Sequence, residues 1–476
     1  MKAGLVSSPQ TGRLIIALAH KADPEPRTLV EDTDRGGPVV AGADANDFAP
    51  GGTMAVDGNA IAYPMGKLAD LPTGDYVAQA LLICNHDLLS PETAGNLYSA
   101  PKKIHFDAAK PQKVALELTS RIPAEEAPKE TELVKFVKIQ SQLLSRFHGR
   151  PIYLRAGIIL PGNYWREPNR RYPLWVRIGG LDTRYTHVIS LMERKLAFER
   201  AWMVPGAPQM ILMHLDGAGP FGDAYQVNSA NNGPYGDAIT QELIPYVEAQ
   251  FRCVGQPHAR VLSGVSTGGW SSLALQVFYP DYFNGVWSFC PDGVDFRAFE
   301  LVNIYGDPNA YVNAYGFERP SERTITGETK LTMRREVLLE NVLGRGDSYT
   351  LSGGQWGAWN ATYGPRKADG LPAPLWDPQT GVIDHETALQ WKKYDLRMVL
   401  ENNWKTLGPK LQGKIHIAVG EADNYFLNNA VHLMDDFLSQ ATPPYGGQIS
   451  YGPGQGHGWT GLSEADLMQE IARQTK

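Results

Sequence analysis

The sequence predicts an α/β chain, a mostly parallel sheet covered on both faces, with a small β-rich, sandwich-like domain in front and one large insertion. Three observations carry this. The first 120 or so residues hold short period-two or apolar stretches between Pro-, Gly- and Asp-rich turns. From Val134 onward, strands alternate with helix-period segments. Between about Asp295 and Leu407 that rhythm is lost in a run rich in Gly, Asn, Trp and Tyr.

In chain order, residues 13–18, 76–84, 103–106 and 113–118 are the expected strands of the first domain. The apolar run at 14–19 is short, flanked by Arg13 and His20, and lacks the cleavage site of a signal peptide, so it reads as a strand. The Pro- and Glu-rich segment 121–130 (through IPAEEAPKE) is a linker, which divides the chain into 1–125 and 131–476. Strands follow at 134–139, 151–160, 173–178, 210–215, 261–262, 283–289, 415–419 and 447–451. Residues 237–251 repeat apolar side chains at helical spacing with Asp237 placed to cap them. Ser463 with Asp466 opens the final helix. The insertion, about 295–407, has helical patches at 332–343 and 386–403, and an insertion after the sixth strand of such a sheet is expected to cap the site.

Composition narrows the function. With 476 residues, 43% hydrophobic and 20% charged, the chain is an ordinary globular one, large enough for two domains. The net charge of −7 comes with no Lys/Arg block, which argues against nucleic acid as a partner. No apolar run approaches the roughly 18 residues that cross a bilayer, so no membrane partner is expected. A soluble chain is expected; a periplasmic or secreted location would follow from a removed signal, and the compartment stays open. Cys84, Cys253 and Cys290 exclude a disulfide scaffold and leave two options, a Cys253–Cys290 bridge or three thiols.

The chemistry sits in three places. Gly264-Val265-Ser266-Thr267-Gly268 is a G-x-S-x-G pentapeptide, of which roughly 0.2 are expected by chance in this composition, so context must decide. A strand precedes it and an apolar helix follows, the setting in which a serine is pushed out of a strained turn as a nucleophile. Only one of the 11 histidines, His457 in GQGHGW, lies in a loop after the last strand, where a general base belongs. The acid should follow the strand at 415–419. Glu421 and Asp423 compete there, and Asp423 is favoured because Glu421, with only Gly420 between it and the strand, comes too early to turn back toward histidine. Two backbone amides should face the developing oxyanion, Thr267 N–H and the N–H of Leu181 in the Gly-Gly-Leu turn, with Gly180 as second choice. Trp270, Trp459 and Tyr225 are candidate substrate contacts. For Trp270 core packing is the competing reading, and for the polar loop 228–232 it is a self-bonded loop.

These residues make the chain similar to the putative-esterase family of α/β-hydrolases, which includes esterase D, enterobactin esterases and feruloyl esterases. The resemblance runs over about 133–471 through RRYPLWVRIGGL, ELIPYVEAQF, GVSTGGW, YPDYFNGVWSFCPD, GEADNYFL and GQGHGW. It implies an α/β-hydrolase fold and a serine esterase acting on a small-molecule or glycosidic ester. It also implies Asp423 as the acid and an oxyanion donor at Leu181. No metal or organic cofactor is expected. Ile178-Gly179 stands where many members have His-Gly, and Val265 where His or Glu is common, so the substrate stays open. The competing readings are an acyltransferase or peptidase on the same Ser266–His457–Asp423 set, and a non-catalytic binding protein of the same fold.

Overall fold

The computed structural model describes residues 1–33, 36–110, 112–193 and 196–476. Eight strands form the central sheet: β1 (Val134–Ser141), β2 (Ile152–Ile159), β3 (Leu174–Ile178), β4 (Ile211–Leu215), β5 (Arg260–Val265), β6 (Val286–Phe289), β7 (Ile415–Gly420) and β8 (Gln448–Gly452). Their spatial order is β1-β2-β4-β3-β5-β6-β7-β8. β2 pairs antiparallel with β1 and β4, and every pairing from β4 to β8 is parallel. β4 and β6 are buried at every position, as expected of parallel strands with helices on both faces, and this is why they read as continuous apolar runs. The order and directions are those of an α/β-hydrolase-like fold.

This topology fixes where chemistry can occur. β3 lies directly beside β5, with Ile178 opposite Gly264, so the turns leaving these two strands meet at one edge of the sheet. β6, β7 and β8 follow in parallel and deliver their loops to the same edge. Ligands of open α/β sheets bind at this carboxyl edge.

The N-terminal strands form one antiparallel sheet of their own: Gln10–Ala19, Val39–Phe48, Ile61–Tyr63, Gly66–Lys67, Gly74–Ile83, Leu97–Ser99, Lys102–Phe106 and Leu118–Arg121. It forks at Gly74–Ile83, whose free side pairs with Lys102–Phe106 near one end and with Leu97–Ser99 near the other. Alternate residues face opposite ways, and both faces are covered. Leu14, Ala80, Leu82, Leu97 and Leu118 form one cluster. Ile15, Ala17, Val40, Leu81 and Ile83 pack against Leu339, Val342 and Leu343 of the insertion helix Met333–Leu343. Two-sided burial explains the unbroken apolar run at 14–19, which a one-sided sheet would not need.

Some local expectations shift. No strand forms at 113–117; these residues lie mostly exposed, Val114 is 42% accessible, and pairing starts at Leu118. Asp237 does not cap its helix, which begins at Tyr235; its carboxylate accepts the Tyr279 hydroxyl at 2.8 Å. A π-helical stretch, Ile239–Leu243, precedes Pro245 and accommodates the proline's missing N–H. Ser463 does cap the last helix, its Oγ accepting Asp466 N–H at 3.2 Å. All three cysteines are free, so the optional Cys253–Cys290 bridge is not made.

The stretch 295–407 contributes a hairpin (Pro320–Arg323 with Thr329–Thr332) and the helices Met333–Leu343, Gln355–Tyr363 and His385–Trp391, followed by Leu396–Leu411. Its Trp356, Trp359, Tyr363, Trp376 and Trp391 belong to the same apolar core as the central sheet. Among the described residues no helix is long and apolar enough to cross a membrane.

Candidate active site

Ser266 joins β5 to the helix Thr267–Phe278 with φ 57° and ψ −123°, a conformation non-glycine residues avoid. Such strain costs about 1–3 kcal/mol and persists only when neighbours over-determine it. Here Ser266 N–H donates to Phe289 O at 3.0 Å, and Ser266 O accepts Trp270 N–H at 3.1 Å. The flanking glycines are obligatory. A Cβ on Gly264 would stand 1.9 Å from Gly268 O, and one on Gly268 would stand 2.2 Å from Ile178 O.

His457 lies in the loop after β8, its N–H held by Asn424 Oδ1 at 2.8 Å. Its Nδ1 meets Asp423 Oδ2 at 2.9 Å. With Nδ1 carrying the proton toward this carboxylate, Nε2 is left as the basic nitrogen. Asp423 is fully buried, and its Oδ1 accepts the N–H groups of Tyr425 (2.9 Å) and Leu427 (3.3 Å). The rival, Glu421, points elsewhere and pairs with His432 at 3.1 Å. Burial pulls the His457 pKa down, but the hydrogen bond and charge of Asp423 and the charge of Asp292 more than offset it, holding the imidazole above its ordinary 6.5.

Thr267 opens its helix, where an amide has no intrahelical acceptor. The Gly179–Leu181 turn leaves β3 beside it; a Cβ on Gly180 would lie 3.8 Å from the Ser266 Cβ. Asp182, with φ 54°, closes the turn by donating its N–H to Asp223 Oδ2 at 3.1 Å.

The structure therefore brings His457 and Asp423 into hydrogen bond and puts the Gly180 turn against Ser266. Among the described residues, however, no hydrogen bond joins Ser266 to His457. The Ser266 hydroxyl instead donates to Asp292 Oδ1 at 3.4 Å. Asp292 went unassigned in the sequence, inside SFCPD. A signal for it was present: it stands three residues past the end of β6, as Asp423 stands three past the end of β7, so adjacent parallel strands deliver both carboxyls to one edge.

Asp292 is 2% exposed. Its Oδ2 accepts the Tyr225 hydroxyl (2.5 Å), Trp359 Nε1–H (3.0 Å) and the Thr267 hydroxyl (3.2 Å). Gln355 Nε2 donates to the Tyr225 hydroxyl at 2.5 Å. Burial pushes the Asp292 carboxyl up while these donors and the charge of His457 pull it back. Trp359 and Gln355 both come from the stretch 295–407, which thus supplies two donors to the Asp292–Tyr225 pair.

Of the candidate substrate contacts, Trp270 is completely buried between Tyr225 and Tyr363, with ring centroids 5.8 and 4.9 Å away. It packs the core and presents no face to a ligand, because Tyr225 and, from the stretch 295–407, Tyr363 pack against its ring. Tyr225 is equally buried and enters the site only through its hydroxyl. Trp459 is half-buried against the core. The 228–232 loop is tied down by the insertion, Asn231 Nδ2 donating to Ala361 O and Gly364 O.

Two cavities adjoin this edge. One of about 430 Å³ is lined by Gly180, Val265 and Gly458, with the Arg177–Glu464 ion pair (3.1 Å) in its wall. The other, about 1070 Å³, lies between the N-terminal loop around Asn85–Ala94, the linker, and Asp182, Arg184 and Tyr185. Burial and the charge of Glu31 from the N-terminal part push Asp182 up to about 7.

A family model described as Putative esterase matches residues 153–443. Among solved structures, the chain is similar to a ferulic acid esterase at 14% identity and a TM-score of 0.42, over 72% of this chain and 98% of that one. It is also similar to an S-formylglutathione hydrolase from Agrobacterium tumefaciens (11%, TM-score 0.40, 72% and 95%). A third is a ferulic acid esterase from Anaeromyces mucronatus (14%, TM-score 0.36, 74% and 94%). No curated protein matches it.

Proposed function

The chain belongs to the putative esterase family and is a carboxylic ester hydrolase, and from that premise we propose that it works through an acyl-enzyme on Ser266. His457 Nε2 takes the hydroxyl proton as Oγ attacks the ester carbonyl, and the C=O electron pair moves onto oxygen, facing Thr267 N–H and Leu181 N–H. Collapse expels the alcohol, which leaves with the proton from His457. Water then repeats the sequence, and the acid departs. Asp423 fixes the imidazole tautomer and stabilises the imidazolium.

The observation that carries this reading is the 2.9 Å Asp423–His457 bond at the strand edge where Ser266 occupies its strained turn. Rotation of the Ser266 hydroxyl away from Asp292 and toward Nε2 is the step it requires. The substrate is a small-molecule ester. The insertion at about 295–407 is read as a cap, supported by the bonds of Trp359 and Gln355 to the Asp292–Tyr225 pair. The chain is divided into a β-rich unit, 1–125, and the hydrolase unit, 131–476.

The test is labelling with a fluorophosphonate, followed by peptide mapping, beside turnover of p-nitrophenyl acetate. Wild type should be labelled on Ser266 and Ser266→Ala should lose both label and turnover. An unlabelled Ser266 in folded, wild-type protein would sink the reading. A peptide amide and an added alcohol acceptor, run alongside, separate the hydrolase from a peptidase or acyltransferase.

A further inference from the structure

His457 and Asp423, the proposed base and acid, lie on two loops whose own chain chemistry gives them little stiffness. His457 stands between Gly456 and Gly458, the second at φ 90°. Asp423 opens a turn in which Phe426 sits at φ 62°, a conformation kept only where neighbours impose it. Backbone bonds join the roots of the two loops, Glu421 N–H donating to Gly452 O and Ala422 N–H to Gln455 O, both at 2.9 Å. The hairpin Pro320–Arg323 with Thr329–Thr332, from the stretch 295–407, adds a second set of ties nearer the two side chains.

Arg323 holds the acid's turn. Its main-chain N–H donates to Asn424 O and its Nε–H to Asp423 O, each at 2.9 Å. Its Nη2 reaches Asn428 Oδ1 at 3.4 Å, and the guanidinium lies 4.4 Å from the centre of the Phe426 ring. Asn424 carries the hold across to the base. Its Nδ2 donates to Arg323 O and its Oδ1 accepts the His457 main-chain N–H, both at 2.8 Å. A carbonyl can only accept and an amide N–H can only donate, so this bridge needs a side chain with one of each, and a carboxamide supplies it. Ile325, in the hairpin's turn, covers the same loop: a Cβ on Gly456 would stand 2.8 Å from Ile325 Cγ2 and 2.8 Å from Asn424 Oδ1.

We propose that Asn424 and Arg323 are positioning residues, through which this hairpin holds the His457 imidazole on Asp423 in the orientation that proton transfer from Ser266 requires. Neither takes or gives a proton in the reaction; each acts through the Asp423–His457 pair. The proposal rests on the Ser266–His457–Asp423 reading.

The test uses Asn424→Ala, which removes the bridge, and Arg323→Lys, which keeps the charge but loses the flat, multi-donor guanidinium. With p-nitrophenyl acetate, on protein of unchanged circular dichroism, each should lower kcat about tenfold or more while KM stays within about twofold, because a misplaced base costs rate and not binding. The rate at which a fluorophosphonate labels Ser266 should fall in step. The downfield imidazole N–H proton resonance of the His457–Asp423 bond, identified by its absence from His457→Gln, should shift or broaden in both variants. A purely structural role would lower Tm and leave that resonance and kcat per folded molecule where they are. Wild-type kcat, a rise in KM at unchanged kcat, or a fall in kcat with the resonance unmoved would each overturn the proposal. If Asn424→Ala does not fold, Arg323→Lys and the milder Asn424→Ser carry the same readouts. Failure of the underlying reading looks different: wild type itself turns over no ester and the fluorophosphonate leaves its Ser266 unlabelled.

Discussion

Asp423 and Glu421 are two residues apart, yet only one faces the histidine loop, and the consequences can be measured separately. Asp423→Asn keeps the shape but removes the charge that orients His457, so kcat should fall on the order of 10³–10⁴-fold. Glu421→Gln, which loses only the partly exposed His432 pair, should change kcat by less than about twofold. The pH dependence has a definite sign. Asp423 and Asp292 favour the imidazolium, so the folded His457 pKa lies above its unfolded value. The stabilisation this brings is complete below 6.5 and is lost as pH rises through the raised value. The proposed acyl-enzyme route needs the neutral ring, so activity should grow over that same window. In a pH profile of kcat/KM the acidic limb should sit above 6.5, and Asp292→Asn should move it to lower pH. A limb that does not move would remove Asp292 from the electrostatics of the base.

At the scale of elements, the strained turn at Ser266 depends on backbone approach rather than on side chains. Gly268→Ala would drive a methyl group into Ile178 O and Gly179 O, 2.2 and 2.3 Å away, and so push on the turn holding Leu181. The expected result is a loss of about 10²-fold or more in kcat, read by steady-state kinetics on protein with unchanged circular dichroism. Arg13 is the second element-scale case. Its side chain is 3% exposed, donates to Val342 O (2.8 Å) and Asn341 O (3.4 Å) at the end of the helix Met333–Leu343, and pairs with Asp44 (2.8 Å) and Asp347 (2.6 Å). Cations at a helix C-terminus are favourable, and removing one partner of a buried pair is costly. Both acids are partly exposed, which discounts the loss; Arg13→Met should cost about 2–3 kcal/mol in urea unfolding.

Across the whole molecule, the N-terminal sheet and the insertion stabilise each other. Leu339, Val342 and Leu343 are covered by the face of that sheet that carries Ile15, Ala17, Val40, Leu81 and Ile83. Each such side chain is worth about 1.5–3 kcal/mol of burial. A Val342→Asp change should therefore lower stability by about 3 kcal/mol, seen as a drop in Tm, with the loss reaching both parts together in one transition. The sequence made the two sheets legible because period-two and apolar runs are local, and it made the elbow legible because Gly264 and Gly268 answer a local steric need. The burial of Trp270 was not legible. Its position in a helix fits either a ligand wall or a core, and the choice is made by Tyr363 nearly a hundred residues on.

The sequence by itself determined the strand-and-helix rhythm and the glycine-flanked turn at Ser266, and it carried the chain order of the proposed serine, acid and histidine, since each is set by neighbours within a few residues. Only the tertiary structure decided that Asp423 and not Glu421 meets His457, that the insertion helix Met333–Leu343 closes the N-terminal sheet, and that Asp292 holds the Ser266 hydroxyl. These depend on which loops the parallel strands carry to a common edge and on which faces remain to be buried. No stretch of chain contains that information until the sheet has assembled.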